Sequence, residues 1–271
     1  MKTEVINLWP EKSKATLTTY ISNDEPELQI PPRAALLVCP GGGYEWLSDR
    51  EAEPIAKTFF AAGLNAFVLR YSLREDARFP QPLLDASLAM KHIRENASKY
   101  NIDPERVFVI GFSAGGHLAA SLGTLWYKDY VYDNVPMPYG LNKPTGTILS
   151  YPVINGGKYA HRGSFDWLCG EGKNDPEVID MYSIDKQVSE KTAPAFIWHT
   201  ADDELVPVQN SLFLAQALSN AGVPYELHIY PSGVHGMALA NEETWKGEPK
   251  LKNDYMAGWV RDAIHWIRSF S

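Results

Sequence analysis

Val109-Ile110-Gly111-Phe112-Ser113-Ala114-Gly115-Gly116-His117 runs from an apolar strand end into a serine with glycine two positions to either side. Gly111 to Gly115 has the G-x-S-x-G spacing of a nucleophile elbow, in which a serine stands on a tight strand-to-helix turn. Such a turn strains the serine backbone and brings its second neighbours close together, so glycine at those positions removes the Cβ atoms that would clash. The turn points the hydroxyl outward, and the helix that follows directs its first amides toward developing negative charge. The flanks fit this reading. Arg106 to Ile110 is a short β-branched and aromatic run, and His117 to Gly123 is small and apolar, as a helix packed under a sheet must be.

Working outward, strand and helix patterns alternate along the chain. Ala15 to Ile21 alternates in the strand manner and predicts antiparallel edge strands before the main sheet. Ala34 to Cys39 is a continuous apolar run ended by Pro40 and Gly41 to Gly43, as expected of a strand covered on both faces. A helix is expected over Arg50 to Ala62, a strand over Asn65 to Arg70, and a helix over Leu83 to Lys99. Asp103-Pro104 predicts a turn leading into the strand before the elbow. Beyond the elbow, strands are expected at Thr145 to Ser150, Ala195 to Thr200 and Tyr225 to Tyr230, with helices at 208–220 and 254–269. This order predicts an α/β fold with a mostly parallel central sheet and helices on both faces. We expect one domain over 1–271. The stretch 151–192 is too long for a plain connector and reads as a small lid-like insertion leaning over the active-site edge.

Composition narrows the partners. The formal charge of −8, with basic residues scattered singly, argues against nucleic acid. No apolar run is long enough to span a membrane, and the first residues lack the apolar core of a signal peptide. The two cysteines, Cys39 and Cys169, are far apart and read as reduced thiols, so a cytoplasmic protein is expected. A trimmed exported form would look the same.

A serine hydroxyl becomes a nucleophile only when a base takes its proton and a third group orients the base. With an elbow, the chain order is serine, acid, histidine. His235, in Gly233-Val234-His235-Gly236 after the strand ending at Tyr230, stands where the base belongs. His117, His161, His199 and His228 are weaker candidates, His199 being placed to support the acid. For that acid, Asp202, Asp203 and Glu204 all follow the strand 195–200. One residue of offset reverses a side chain's direction, so spacing leaves the choice open. Donors to a tetrahedral oxyanion would be the amides of Gly42 and Gly43, which follow the strand ending at Cys39, and of Ala114 after the serine.

In these residues the chain resembles the α/β-hydrolase superfamily, in particular its small esterase/lipase-like branch that includes acetyl esterases acting on plant polysaccharide fragments. The landmarks span nearly the whole chain: Leu8-Trp9-Pro10, Cys39 to Tyr44, Leu69-Arg70-Tyr71, Pro82 to Asp85, Gly111 to His117, Ser150 to Val153 and His199 to Asp203. In this superfamily the acid stands four residues after a strand-end histidine and three before a Val-Pro pair, so the resemblance selects Asp203. Many relatives carry histidine before the oxyanion glycines, and here Pro40 stands in its place. The resemblance implies hydrolysis of short acyl, chiefly acetyl, esters without metal or organic cofactor. Acetylated xylo-oligosaccharides are the implied small-molecule partners, and a homo-oligomer is compatible with this. Tyr44, Trp46, Trp167 and Tyr182 are then candidates to stack on sugar rings, packing being the alternative for each. Amide hydrolysis, as in arylformamidases or small peptidases, and a non-catalytic hydrolase-like receptor are the competing readings. Peptidases of this type usually add a propeller domain for which 271 residues leave no room.

Overall fold

The computed structural model describes residues 1–9, 15–23 and 26–270. Its strands are β1 (Val5–Asn7), β2 (Thr16–Tyr20), β3 (Arg33–Cys39), β4 (Asn65–Arg70), β5 (Ile102–Phe112), β6 (Thr147–Ser150), β7 (Ala195–Thr200) and β8 (Tyr225–Tyr230). They form one sheet in the order β1-β2-β4-β3-β5-β6-β7-β8. β1 and β2 pair antiparallel at one edge, and every pairing from β4 to β8 is parallel. The helices are α1 (Glu53–Ala61), α2 (Gln81–Glu95), α3 (Ala114–Leu125), α4 (Asp129–Asn134), α5 (Arg162–Cys169), α6 (Pro176–Tyr182), α7 (Gln209–Asn220) and α8 (Trp259–Arg268). The expected mostly parallel α/β sheet is the one observed.

The core explains the continuous apolar runs. Along β3, Leu37 and Cys39 join a cluster with Leu83 of α2, Leu118 of α3 and Leu214 of α7. Leu36 and Val38 face the other way, onto Ile55 and Phe59 of α1 and Trp259 of α8. Successive side chains point to opposite faces, so a strand with helices on both sides has no polar position to spare. The early landmarks also meet. Trp9 Nε1 donates to Asp85 Oδ1 at 2.7 Å, and the Ser72 amide donates to Oδ2 at 2.8 Å. Pro10, the last residue of the first landmark, lies outside the described residues.

Several element boundaries differ from expectation, among them α8, which begins at Trp259 rather than 254 after a 3₁₀ turn over Met256–Gly258. α1 begins at Glu53, after a 3₁₀ turn over Asp49–Glu51, because Arg50 and Glu51 spend their side chains on other loops (below). α2 runs Gln81–Glu95, with Pro82 in its first turn, where its missing N–H costs nothing. Asp103-Pro104 falls inside β5, where the register with β3 jumps from Arg33↔Ile102 to Ala35↔Val107. The segment 151–192 carries α5, α6 and two 3₁₀ turns. Among the described residues no helix is long and apolar enough to cross a membrane.

Candidate active site

The parallel strands end on one edge, where open α/β sheets place their ligands. Loops after β3, β5, β6, β7 and β8 therefore converge there. After β5, Ser113 has φ +54° and ψ −118°, strained for a residue with a side chain. The reason glycine must flank it is visible. A Cβ on Gly111 would lie 2.0 Å from the Gly115 carbonyl oxygen, and one on Gly115 would lie 2.1 Å from that of Cys39. The turn is held by the Ser113 amide donating to the Ser150 carbonyl at 3.0 Å.

Ser113 Oγ is 2.8 Å from His235 Nε2, and His235 Nδ1 is 2.7 Å from Asp203 Oδ2. Asp203 Oδ1 accepts from the amides of Leu205 and Val206 at 3.0 and 2.9 Å. His199 Nε2 lies 3.3 Å from Oδ2 and 2.9 Å from the Val206 carbonyl. That carbonyl can only accept, so Nε2 carries the proton and reaches both oxygens. Burial pushes the Asp203 carboxyl up, but hydrogen bonds from His199 and His235, the His235 charge and the Val206 amide outweigh it. The group is held well below the usual carboxylate range. Asp202 faces elsewhere. Its carboxylate accepts from Ser232 Oγ at 2.6 Å and the Gly233 amide at 2.7 Å, tying down the loop that carries His235. Glu204 is exposed and has no ion-pair partner among the described residues.

A cleft of ≈ 360 Å³ opens at the serine, lined among others by Gly42, Gly43, Trp46, His161, Trp167 and His235. Gly42 and Gly43 have φ +128° and +68°, and a Cβ on Gly42 would fall 2.0 Å from the Trp46 carbonyl oxygen. Their amides and that of Ala114 make no hydrogen bond among the described residues. Another cavity, of ≈ 320 Å³, is lined by Lys2, Arg33, Lys99 and others and contains none of Ser113, Asp203 and His235.

The four candidate aromatics divide. Trp46, 53% exposed, and Trp167 line the cleft. Tyr44 and Tyr182 do not, which corrects the expectation that they could meet a substrate. Tyr44 is 1% exposed, with its hydroxyl 2.9 Å from His117 Nδ1 and its ring edge-on to Tyr71. The left-handed backbone at Tyr44 (φ +62°) turns its side chain into the core rather than the cleft. Tyr182 packs its ring on Phe79 at 4.4 Å, and its carbonyl accepts from His117 Nε2 at 2.8 Å. His117 thus bridges the glycine loop to the 151–192 segment from within the core. His228 stays on β8, bonded to Glu226 at 2.6 Å.

Arg50, Glu51 and Tyr151 escaped the sequence reading. Glu51 Oε2 accepts from the Gly41 amide at 3.0 Å, and Oε1 accepts from the Tyr151 hydroxyl at 2.7 Å. That hydroxyl in turn accepts from the Ala238 amide at 2.9 Å, and the Tyr151 ring stands edge-on to His235 at 5.0 Å. Arg50 donates to the Gly236 carbonyl at 2.7 Å. One dipeptide therefore links the glycine loop to the loop that carries His235. Its only sequence signal is a charged pair before an apolar helix, which usually means a solvated face.

This sheet, with a strained serine after β5 and an acid–histidine relay after β7 and β8, is an α/β-hydrolase. The BD-FAE family model matches residues 25–218, and the chain belongs to that family. It is 42% identical over 235 residues to an endo-1,4-β-xylanase B of Butyrivibrio fibrisolvens, a match covering 85% of this chain and 36% of the relative. It is 35% identical over 240 residues to an acetylxylan esterase of Xylanibacter ruminicola, covering 85% of this chain and 46% of the relative. The chain thus spans less than half the length of these curated relatives. Among solved structures, an acetyl ester-xyloside bifunctional hydrolase from Caldicellulosiruptor lactoaceticus superposes with a TM-score of 0.84 at 36% identity, covering 98% of this chain and 96% of that one.

Proposed function

We propose that this chain is a serine esterase that removes short acyl groups, acetyl above all, from carbohydrates such as xylo-oligosaccharides. The observation that carries the reading is the relay from Ser113 Oγ through His235 to Asp203, with links of 2.8 and 2.7 Å. His235 Nε2 takes the serine proton as Oγ attacks the ester carbonyl carbon. The carbonyl electron pair moves to oxygen, and the amides of Gly42, Gly43 and Ala114, unspent elsewhere, receive the oxyanion. His235 then protonates the departing sugar oxygen. A water deprotonated by the same nitrogen attacks the acyl-enzyme, releasing the acid and restoring Ser113. Asp203, kept ionised, holds Nδ1–H and balances the imidazolium. Support for the acyl group and the sugar comes from the names of the relatives, an acetylxylan esterase and an acetyl ester-xyloside hydrolase.

In this reading 1–271 is one hydrolase domain, and 151–192 is its lid-like insertion, contributing His161 and Trp167 to the cleft wall. The test is turnover of p-nitrophenyl acetate and acetylated xylo-oligosaccharide beside feruloyl esters and N-formylkynurenine. Acetyl esters should be preferred, and Ser113→Ala should lower turnover by several orders of magnitude. Faster cleavage of the formamide would replace the esterase reading with the amidase one. No labelling by a fluorophosphonate would favour a non-catalytic receptor.

A further inference from the structure

His161 sits at the mouth of the cleft with one ring nitrogen fully committed and the other unused. As the N-cap of α5, it accepts the Ser164 amide on Nδ1 at 3.3 Å, and the Ser164 hydroxyl lies 2.9 Å from the same nitrogen. An N–H donor aimed at Nδ1 requires a lone pair there, so in the neutral ring the proton resides on Nε2. Burial, reinforced by the neighbouring His235, lowers the His161 pKa, with Asp203 acting in the opposite sense. Nε2–H has no acceptor among the described residues. The ring lies beside the glycine loop, where a methyl placed on Gly43 would be 3.6 Å from His161 Cε1, and it lines the cleft with Ser113 and His235. The cap thus selects the tautomer, and the tautomer leaves an N–H donor on a residue that lines the cleft.

We infer that His161 Nε2–H is a specificity determinant that donates to a hydroxyl or ring oxygen of the sugar carrying the acyl group. The inference rests on the esterase reading above and names the residue that would read the sugar in it. Two features favour the sugar over the oxyanion as acceptor. The oxyanion already has the backbone amides of Gly42, Gly43 and Ala114. Trp46 and Trp167 line the same cleft as His161, offering flat apolar faces beside a polar donor, as the faces and edges of a pyranose ring require.

His161→Asn tests this, because asparagine caps a helix well but is too short to present a donor where the imidazole does. His161→Ser, a second capping residue, stands in if the asparagine variant is poorly folded by circular dichroism. With acetylated xylobiose, kcat/KM should fall about 10-fold, the worth of one hydrogen bond to substrate. With p-nitrophenyl acetate, which has no hydroxyl to receive the donor, the fall should be at least about 5-fold smaller than with the acetylated sugar, so that the ratio of the two kcat/KM values shifts. An equal loss on both substrates would assign His161 to the shared machinery or to folding and overturn the inference. No loss on either would overturn it too. Wild-type protein that cleaves the phenyl ester but not the acetylated sugar would instead remove the carbohydrate reading itself, and this inference with it.

Discussion

At the scale of residues, Asp203 gathers two imidazoles and two amides on one carboxylate, whereas its neighbour Asp202 serves Ser232 and Gly233. Asp203→Asn puts an amide where His235 Nδ1–H and His199 Nε2–H both need an acceptor. It is expected to lower kcat on p-nitrophenyl acetate by about 10³–10⁴-fold. Asp202→Asn should cost less than about 10-fold, since it loosens a loop and leaves the relay intact. Equal losses would remove Asp203 from its role. His117 provides a second test, of stability. Burial pushes its pKa down to about 4 against the Tyr182 carbonyl, so the folded chain keeps the ring neutral. Between about pH 6.5 and 4 the unfolded chain binds a proton that the native one does not, so stability falls as pH falls through that window. The loss reaches about 3 kcal/mol. Urea midpoints measured from pH 7 to 4 should show it, and His117→Gln should flatten that part of the curve.

At the scale of elements, the elbow is a close approach of β5, α3 and the end of β3. Gly115→Ala would drive its methyl into the carbonyl oxygens of Cys39 and Pro40, at 2.1 and 2.4 Å, and neither can rotate away. A cost of about 3 kcal/mol or more is expected from chemical denaturation, with loss of turnover because the same shift moves Ser113. The turn carrying Arg50 and Glu51 is the other shared element. Glu51→Gln keeps the size but places an amide against either the Gly41 N–H or the Tyr151 O–H, leaving one buried group without its partner. Since that turn sets the glycine loop against the loop of the base, kcat should fall about 10–100-fold with KM little changed. A rise in KM alone would separate Glu51 from the geometry of the reacting atoms.

For the whole molecule, parallel topology gathers loops from five strands on one edge, and the 151–192 segment supplies one wall of the cleft. A cleft of ≈ 360 Å³ bounded by tryptophan and imidazole suits a short acyl chain. Initial rates across p-nitrophenyl acetate, butyrate and octanoate should fall in that order. Faster octanoate cleavage would contradict the short-chain assignment.

What the sequence determined by itself was whatever local sterics and periodicity dictate. Ala34 to Cys39 had to be a doubly covered strand because it offers no polar face. Gly111 and Gly115 had to flank a strained serine because nothing larger fits a turn that tight. The order of strands and helices left a mostly parallel sheet as the economical outcome. Tertiary structure decided what depends on the aim of one side chain across a long loop. Asp202 and Asp203 are chemically identical and adjacent, so spacing leaves both open, and the groups that meet each of them in the fold separate them. Tyr44 follows Gly41 to Gly43 and still turns inward, because its partner, His117, lies on α3. Glu51 reaches Gly41 and Tyr151, and His161 comes to line the cleft beside Gly43, through contacts between segments that no spacing rule connects. Local conformation is set by nearest neighbours, whereas a hydrogen bond between loops exists only after the sheet has brought their ends together.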